Sequence, residues 1–188
     1  MVTNLKKNYL FNLSALLLCL MPMALIAGPL IAEIFIIIII LNFIFFVVKN
    51  KEYQIFDKPI IKFFFFFYIL IAINSFFSED IFFLLKNSLF YFRFIFFALA
   101  VAFLLKFKSN LKLQFFNFLT FILLLVCFDS VIQILFGINI LGLSPNSNIR
   151  ISSFFYDELV LGSFLQKILP IYLSLYFFFN FKEKKKHF

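Results

Sequence analysis

Between Asp129 and Pro170 an otherwise apolar chain becomes rich in groups that bind or hold polar ligands: Asp129, Gln133, Asn146, Asn148, Arg150, Asp157 and Glu158. Polar and charged groups beside a hydrocarbon interior are costly, so they gather where function or internal pairing requires them. Asp129 and Gln133 are four apart and share one helix face. An acid and an amide so placed suit sugar hydroxyls, or hold a nearby Arg in position. Lys86 and Arg93 are seven apart and share a face, provided their helix starts near Ile81. Together they suit a phosphate or pyrophosphate. Of the 17 basic residues only Arg93 and Arg150 are Arg. The guanidinium is a planar fork of donors that Lys cannot replace against phosphate or carboxylate. The expected arrangement is a cationic stripe and an acid–amide stripe lining one outward-opening cavity.

Simpler readings stand beside this one. Lys167 and Glu33 lie near span ends, where snorkelling to the interface suffices. Arg93 and Asp129 fall at similar depth inside apolar spans, and an inward pair between them is expected. Asp157 and Glu158 fit the first turn of the last helix, where acids favour the positive dipole end, with Ser152 or Ser153 as its cap. Cys19 and Cys127 lie within apolar runs and read as buried thiols, too few for a disulfide framework. The single His, His187, sits beside lysines in the tail. No cluster has zinc-ligand spacing, no glycine-rich phosphate loop occurs, and neither metal nor cofactor is expected.

These residues are set in a chain that is 64% hydrophobic with mean hydropathy +1.08, the composition of an all-α integral membrane protein. Crossing the hydrocarbon takes about 20 apolar residues. Six segments qualify, roughly 9–27, 30–48, 60–77, 88–105, 115–136 and 163–179, in a single transmembrane domain. The 36 Phe, including the run 63–67, suit a lipid-facing surface. Gly28-Pro29 marks a tight turn that leads the first span into the second, so that span reads as an uncleaved signal anchor rather than a cleaved signal peptide.

The connections alternate in charge. Lys6 and Lys7 precede the first span; Lys49, Lys51, Lys58 and Lys62 follow the second; Lys106, Lys108 and Lys112 follow the fourth; Lys182, Lys184, Lys185 and Lys186 follow the sixth. The positive-inside rule then puts both termini, including the basic tail 180–188, in the cytoplasm and turns loops 28–29, 78–87 and 137–162 outward. On this topology Glu33, Arg93, Asp129 and Lys167 fall about 5–11 Å below the outer boundary, at 1.5 Å per helical residue. The net charge of +8 is thereby a topology signal and does not point to nucleic acid. The short cytoplasmic connections leave no room for a nucleotide-sugar or ATP site.

Asp129-x3-Gln133-x3-Gly137, the following Gly142, Arg150-Ile-Ser-Ser, and Asp157-Glu158-Leu-Val-Leu-Gly162-Ser-Phe-Leu ending at Pro170 resemble the bacterial O-antigen ligase and O-antigen polymerase family. The likeness covers 129–170; earlier spans are similar only in hydropathy and in the Lys and Arg of the fourth. The resemblance implies a glycosyltransferase of the bacterial inner membrane, working on its periplasmic side in lipopolysaccharide or surface polysaccharide synthesis. Such enzymes take a glycan from an undecaprenyl-diphosphate carrier. They pass it to lipid A–core or to a second lipid-linked glycan, without nucleotide sugar or required metal. By the family's pattern Arg150 is a donor-binding arginine, and the catalytic residues are not assigned. Family members carry more spans and a large outward loop in their second half. The chain therefore resembles an N-terminal half, with a separately encoded C-terminal half as an expected partner beside the lipid bilayer. Two other classes compete. A polysaccharide or lipid transporter would show internal repeats and charges near the midplane. A non-catalytic membrane fragment would lack a neighbouring reading frame for the missing spans.

Overall fold

The computed structural model describes residues 9–57, 59–77, 80–108, 110–144, 151–155 and 160–184. The elements run α1 (Tyr9–Ala27), α2 (Pro29–Asn50), a 3-10 turn (Tyr53–Asp57), α3 (Pro59–Ser75), α4 (Ile81–Phe90), α5 (Phe92–Phe107), α6 (Leu111–Phe136), a second 3-10 turn (Ser153–Phe155) and α7 (Leu161–Lys184). No strand occurs among the described residues.

Helix boundaries follow from residue chemistry. Gly28 alone joins α1 to α2, with φ +137, a backbone region that only glycine enters without steric cost. Pro29 then opens α2 at the first helical position, where its missing N–H leaves no bond unmade. Pro59 opens α3 in the same way. At the end of α6, Gly137 takes the left-handed conformation at φ +74 and its N–H donates to Gln133 O at 3.0 Å.

Among the described residues, four helical stretches are long and apolar enough to cross a membrane: Tyr9–Ala27, Pro29–Asn50, Leu111–Phe136 and Leu161–Asn180. The region expected as the third span is α3, whose 17 residues reach about 26 Å against the ~30 Å hydrocarbon core. The region expected as the fourth, 88–105, corresponds mainly to α5, and α4 takes up most of the segment 78–87 expected as a loop. All five phenylalanines of the run 63–67 are exposed. So large an apolar surface suits hydrocarbon as solvent, not water.

The chain forms two compact units, Met1–Leu18 with Glu33–Ser109, and Cys19–Ala32 with Asn110–Phe188. In the first, Phe11, Phe43, Phe46 and Phe103 pack around one another at ring centroids 5.6–6.5 Å apart. Asn42 Nδ2 donates to Ser14 Oγ at 2.9 Å, a polar tie between α1 and α2 of the kind that joins helices in lipid. Ser75 and Ser88 share a 2.7 Å hydrogen bond that ties α3 to α4. In the second unit, Leu119, Ile122 and Val126 of α6 pack on Phe164 and Ile168 of α7. Phe154 and Phe155 from the 3-10 turn lie against the same cluster.

Candidate functional site: a buried polar lock at the end of helix α6

The last two turns of α6 carry Asp129 and Gln133 on one face, and both are buried, at 0% and 4% exposure. Buried polar groups are tolerated only when hydrogen-bonded, and every acceptor here has partners within the same unit. Asp129 Oδ1 accepts the Ile140 N–H at 2.8 Å. Asp129 Oδ2 accepts the Ser153 hydroxyl at 2.5 Å. Gln133 Oε1 accepts two backbone donors, Ser152 N–H at 3.1 Å and Ser153 N–H at 2.8 Å. Its amide nitrogen donates to Ser152 Oγ at 3.5 Å.

Asn139 closes the network from the other side. Its Nδ2 donates to Ser153 O at 3.0 Å, and its Oδ1 accepts the Leu143 N–H at 2.8 Å. Its backbone N–H donates to Leu143 O at 3.0 Å, and its carbonyl accepts from Gly142 N–H at 2.9 Å. The five side chains thereby fasten 139–143 and 151–155 to α6. Ser153 has φ +51, an uncommon conformation for a residue with a side chain. Its N–H, carbonyl and hydroxyl are all bound within the network, which holds that conformation in place.

Sequence reasoning singled out Asp129 and Gln133 but missed Asn139 and the hydroxyl of Ser153. An Asn two residues after a helix-ending Gly is a readable signal, because Asn side chains bond their own backbone in turns. The expected capping role of Ser152 or Ser153 is replaced: Ser153 donates to Asp129, and α7 begins later, at Leu161, with no acid in its first turn. Arg150, Asp157 and Glu158 lie outside the described residues. The acid–amide stripe does not line an open cavity, since burial and internal bonds occupy both of its members.

Arg93 and Asp129, expected as a pair, each take partners within their own unit. Arg93 Nη2 meets Glu33 Oε1 at 2.8 Å, joining α5 to α2 within the first unit, and both side chains are about one-third exposed, at 35% and 34%. Glu33 is therefore a paired acid, not a snorkelling one. Arg93 also lies over the Phe94 ring, 5.0 Å from its centroid. Glu33 Oε2 and Arg93 Nε have no hydrogen-bond partner among the described residues. Lys86 and Arg93 lie on successive helices, α4 and α5, which meet at Tyr91. There Tyr91 N–H donates to Ser88 O and Phe94 N–H to Tyr91 O, both at 3.1 Å. These i to i+3 bonds tighten the backbone at the junction, where Tyr91 itself stays in the helical region. Lys86 and Lys167 are exposed, and so is Cys127, whereas Cys19 is buried. No group of three or more His, Cys, Asp or Glu placed to hold a metal occurs among the described residues.

No protein-family model, curated protein or solved structure matches the chain. The fold and composition define its class, an all-α membrane protein with transmembrane helices.

Proposed function

We propose that the chain is a membrane glycosyltransferase component of the O-antigen ligase or polymerase type. It handles an undecaprenyl-diphosphate-linked glycan at the periplasmic face of the bacterial inner membrane, with both termini in the cytoplasm. The observation that carries the reading is the polar lock. Of the residues that carry the resemblance, Asp129, Gln133, Gly137, Gly142 and the Ser152–Ser153 pair take part in one connected arrangement at the end of α6, while Arg150, Asp157 and Glu158 lie outside the described residues. They act there as positioning residues, bracing the two ends of the segment that contains Arg150. Arg150 would supply the bidentate fork for the diphosphate. Asp157 and Glu158 would serve the sugar side.

Binding to the purified chain tests this. Undecaprenyl-diphosphate glycan should bind more tightly than undecaprenol, and Arg150→Lys should weaken that binding roughly tenfold, because the charge stays but one fork is lost. Equal affinity of the wild-type chain and Arg150→Ala would overturn the role of Arg150. Equal affinity for the diphosphate and the alcohol would overturn the reading as a whole.

A further inference from the structure

The first unit contains a lateral groove between α3 and α5 that the proposed reaction does not use. Its main part has a volume of about 470 Å³ and is walled by Phe64, Ile95 and Phe103, with Ala98 and Ala102 where larger side chains would fill it. A second part, about 190 Å³, continues past Phe64, Ile95 and Ala98 to Phe67, Phe94 and Tyr91. From Tyr91 to Lys106 the groove follows α5 for about 22 Å, more than the ~15 Å depth of one leaflet of a ~30 Å hydrocarbon core. Among the lining residues charge appears at one end, where Glu52 and Lys106 both line the mouth. That end also carries Lys49 and Lys51 at the close of α2 and Lys62 in the first turn of α3.

We propose that this groove holds one acyl chain of a phospholipid whose headgroup carries a primary ammonium beside its phosphate, the phosphatidylethanolamine class. The apolar walls and alanine gaps accommodate a hydrocarbon chain. Lys106 meets the phosphate as a compact cation. Glu52 selects the ammonium, which brings three N–H donors, whereas a choline headgroup brings none and a glycerol headgroup brings no positive charge. Basic pockets between helices at a membrane surface bind lipid headgroups by this chemistry. The acid beside the lysine narrows the choice to a headgroup bearing both signs. The site is independent of glycosyl transfer, because its lining includes neither a member of the polar lock nor any residue assigned to the glycan carrier.

The full-length chain, purified in detergent and stripped of lipid, is titrated with ethanolamine, glycerol and choline phospholipids of matched acyl chains. Bound lipid is counted by native mass spectrometry. One ethanolamine lipid per chain should be retained roughly tenfold better than either of the others, the worth of one charged hydrogen bond. Glu52→Gln should erase the preference over the choline lipid while the groove still binds both. Lys106→Gln should weaken retention of all three. Ala98→Phe, which fills the groove, should abolish binding, with helix content checked by circular dichroism. Glu52→Gln sits at the mouth and is read as a ratio, so it remains informative if Ala98→Phe fails to fold. Equal retention of the three lipids by the wild-type chain would overturn the proposal. So would an unchanged preference in Glu52→Gln, tighter binding of a polyprenyl phosphate, or a dimer through Ala98 and Ala102 that excludes lipid.

Discussion

Asp129 shows why a residue's type and depth do not name its partner. An acid in an apolar span needs hydrogen bonds, and an arginine at similar depth looks sufficient. The structure instead gives it a hydroxyl and a backbone N–H. Asp129→Asn leaves the Ser153 hydroxyl and Ile140 N–H with a poorer acceptor in a fully buried site. A loss on the order of 1–3 kcal/mol is expected, read as reduced stability to denaturant in micelles. Adding Ser153→Ala to Asp129→Asn should cost less than the sum of the single changes, because the two share one bond. Strictly additive losses would mean that the bond contributes nothing. Asp129→Asn and Arg93→Gln, by contrast, should add to within about 0.5 kcal/mol, since each acts on a different partner. For the Arg93–Glu33 pair, Arg93→Gln alone should lower the melting temperature more than the double change Arg93→Gln/Glu33→Gln. A lone charge left in an apolar setting is worse than none. An equal or larger drop in the double variant would show that the pair is not coupled.

At the level of elements, Gly137 decides where α6 stops and therefore whether residues 139–143 can turn back onto Asp129. A Cβ there would meet no neighbouring atom, so any cost of substitution is conformational. Gly137→Ala should destabilise by about 1 kcal/mol, the penalty of a left-handed alanine. Gly137→Asn should cost less, since Asn tolerates that region. Melting curves of both variants check this, and an alanine variant as stable as wild type would mean that the cap conformation is not required. The junction at Tyr91 divides one apolar run into two helices, α4 and α5.

For the whole molecule, the lysine-bearing connections predict a testable topology. Reporter fusions after Lys108 and after Phe181 should read cytoplasmic, and a fusion after Asn146 should read outward. A cytoplasmic signal at Asn146 would place Arg150 on the wrong side for a periplasmic diphosphate and remove the proposed donor site. Removing the lysines that follow the second span, for instance Lys49→Gln with Lys51→Gln, should increase the fraction of inverted protein.

The helical, membrane-embedded class was legible in composition, because apolar runs of span length have few other soluble outcomes. The helix ends at Gly28-Pro29 and Gly137 were also written in residue types, since they depend on φ preferences that are local. The four-residue spacing put Asp129 and Gln133 on one face, and both point into the same network. What lay beyond local rules was the choice among partners separated in sequence. Glu33 reaches Arg93 across 60 positions, and Asp129 takes Ser153 from a loop 24 residues on. Many polar groups in the chain satisfied the same local criteria. Hydrogen bonds form only where the packing of α6, α7 and their connecting turn brings donor within about 3 Å of acceptor. That distance is a property of the folded chain, so the tertiary structure alone decided which candidates met.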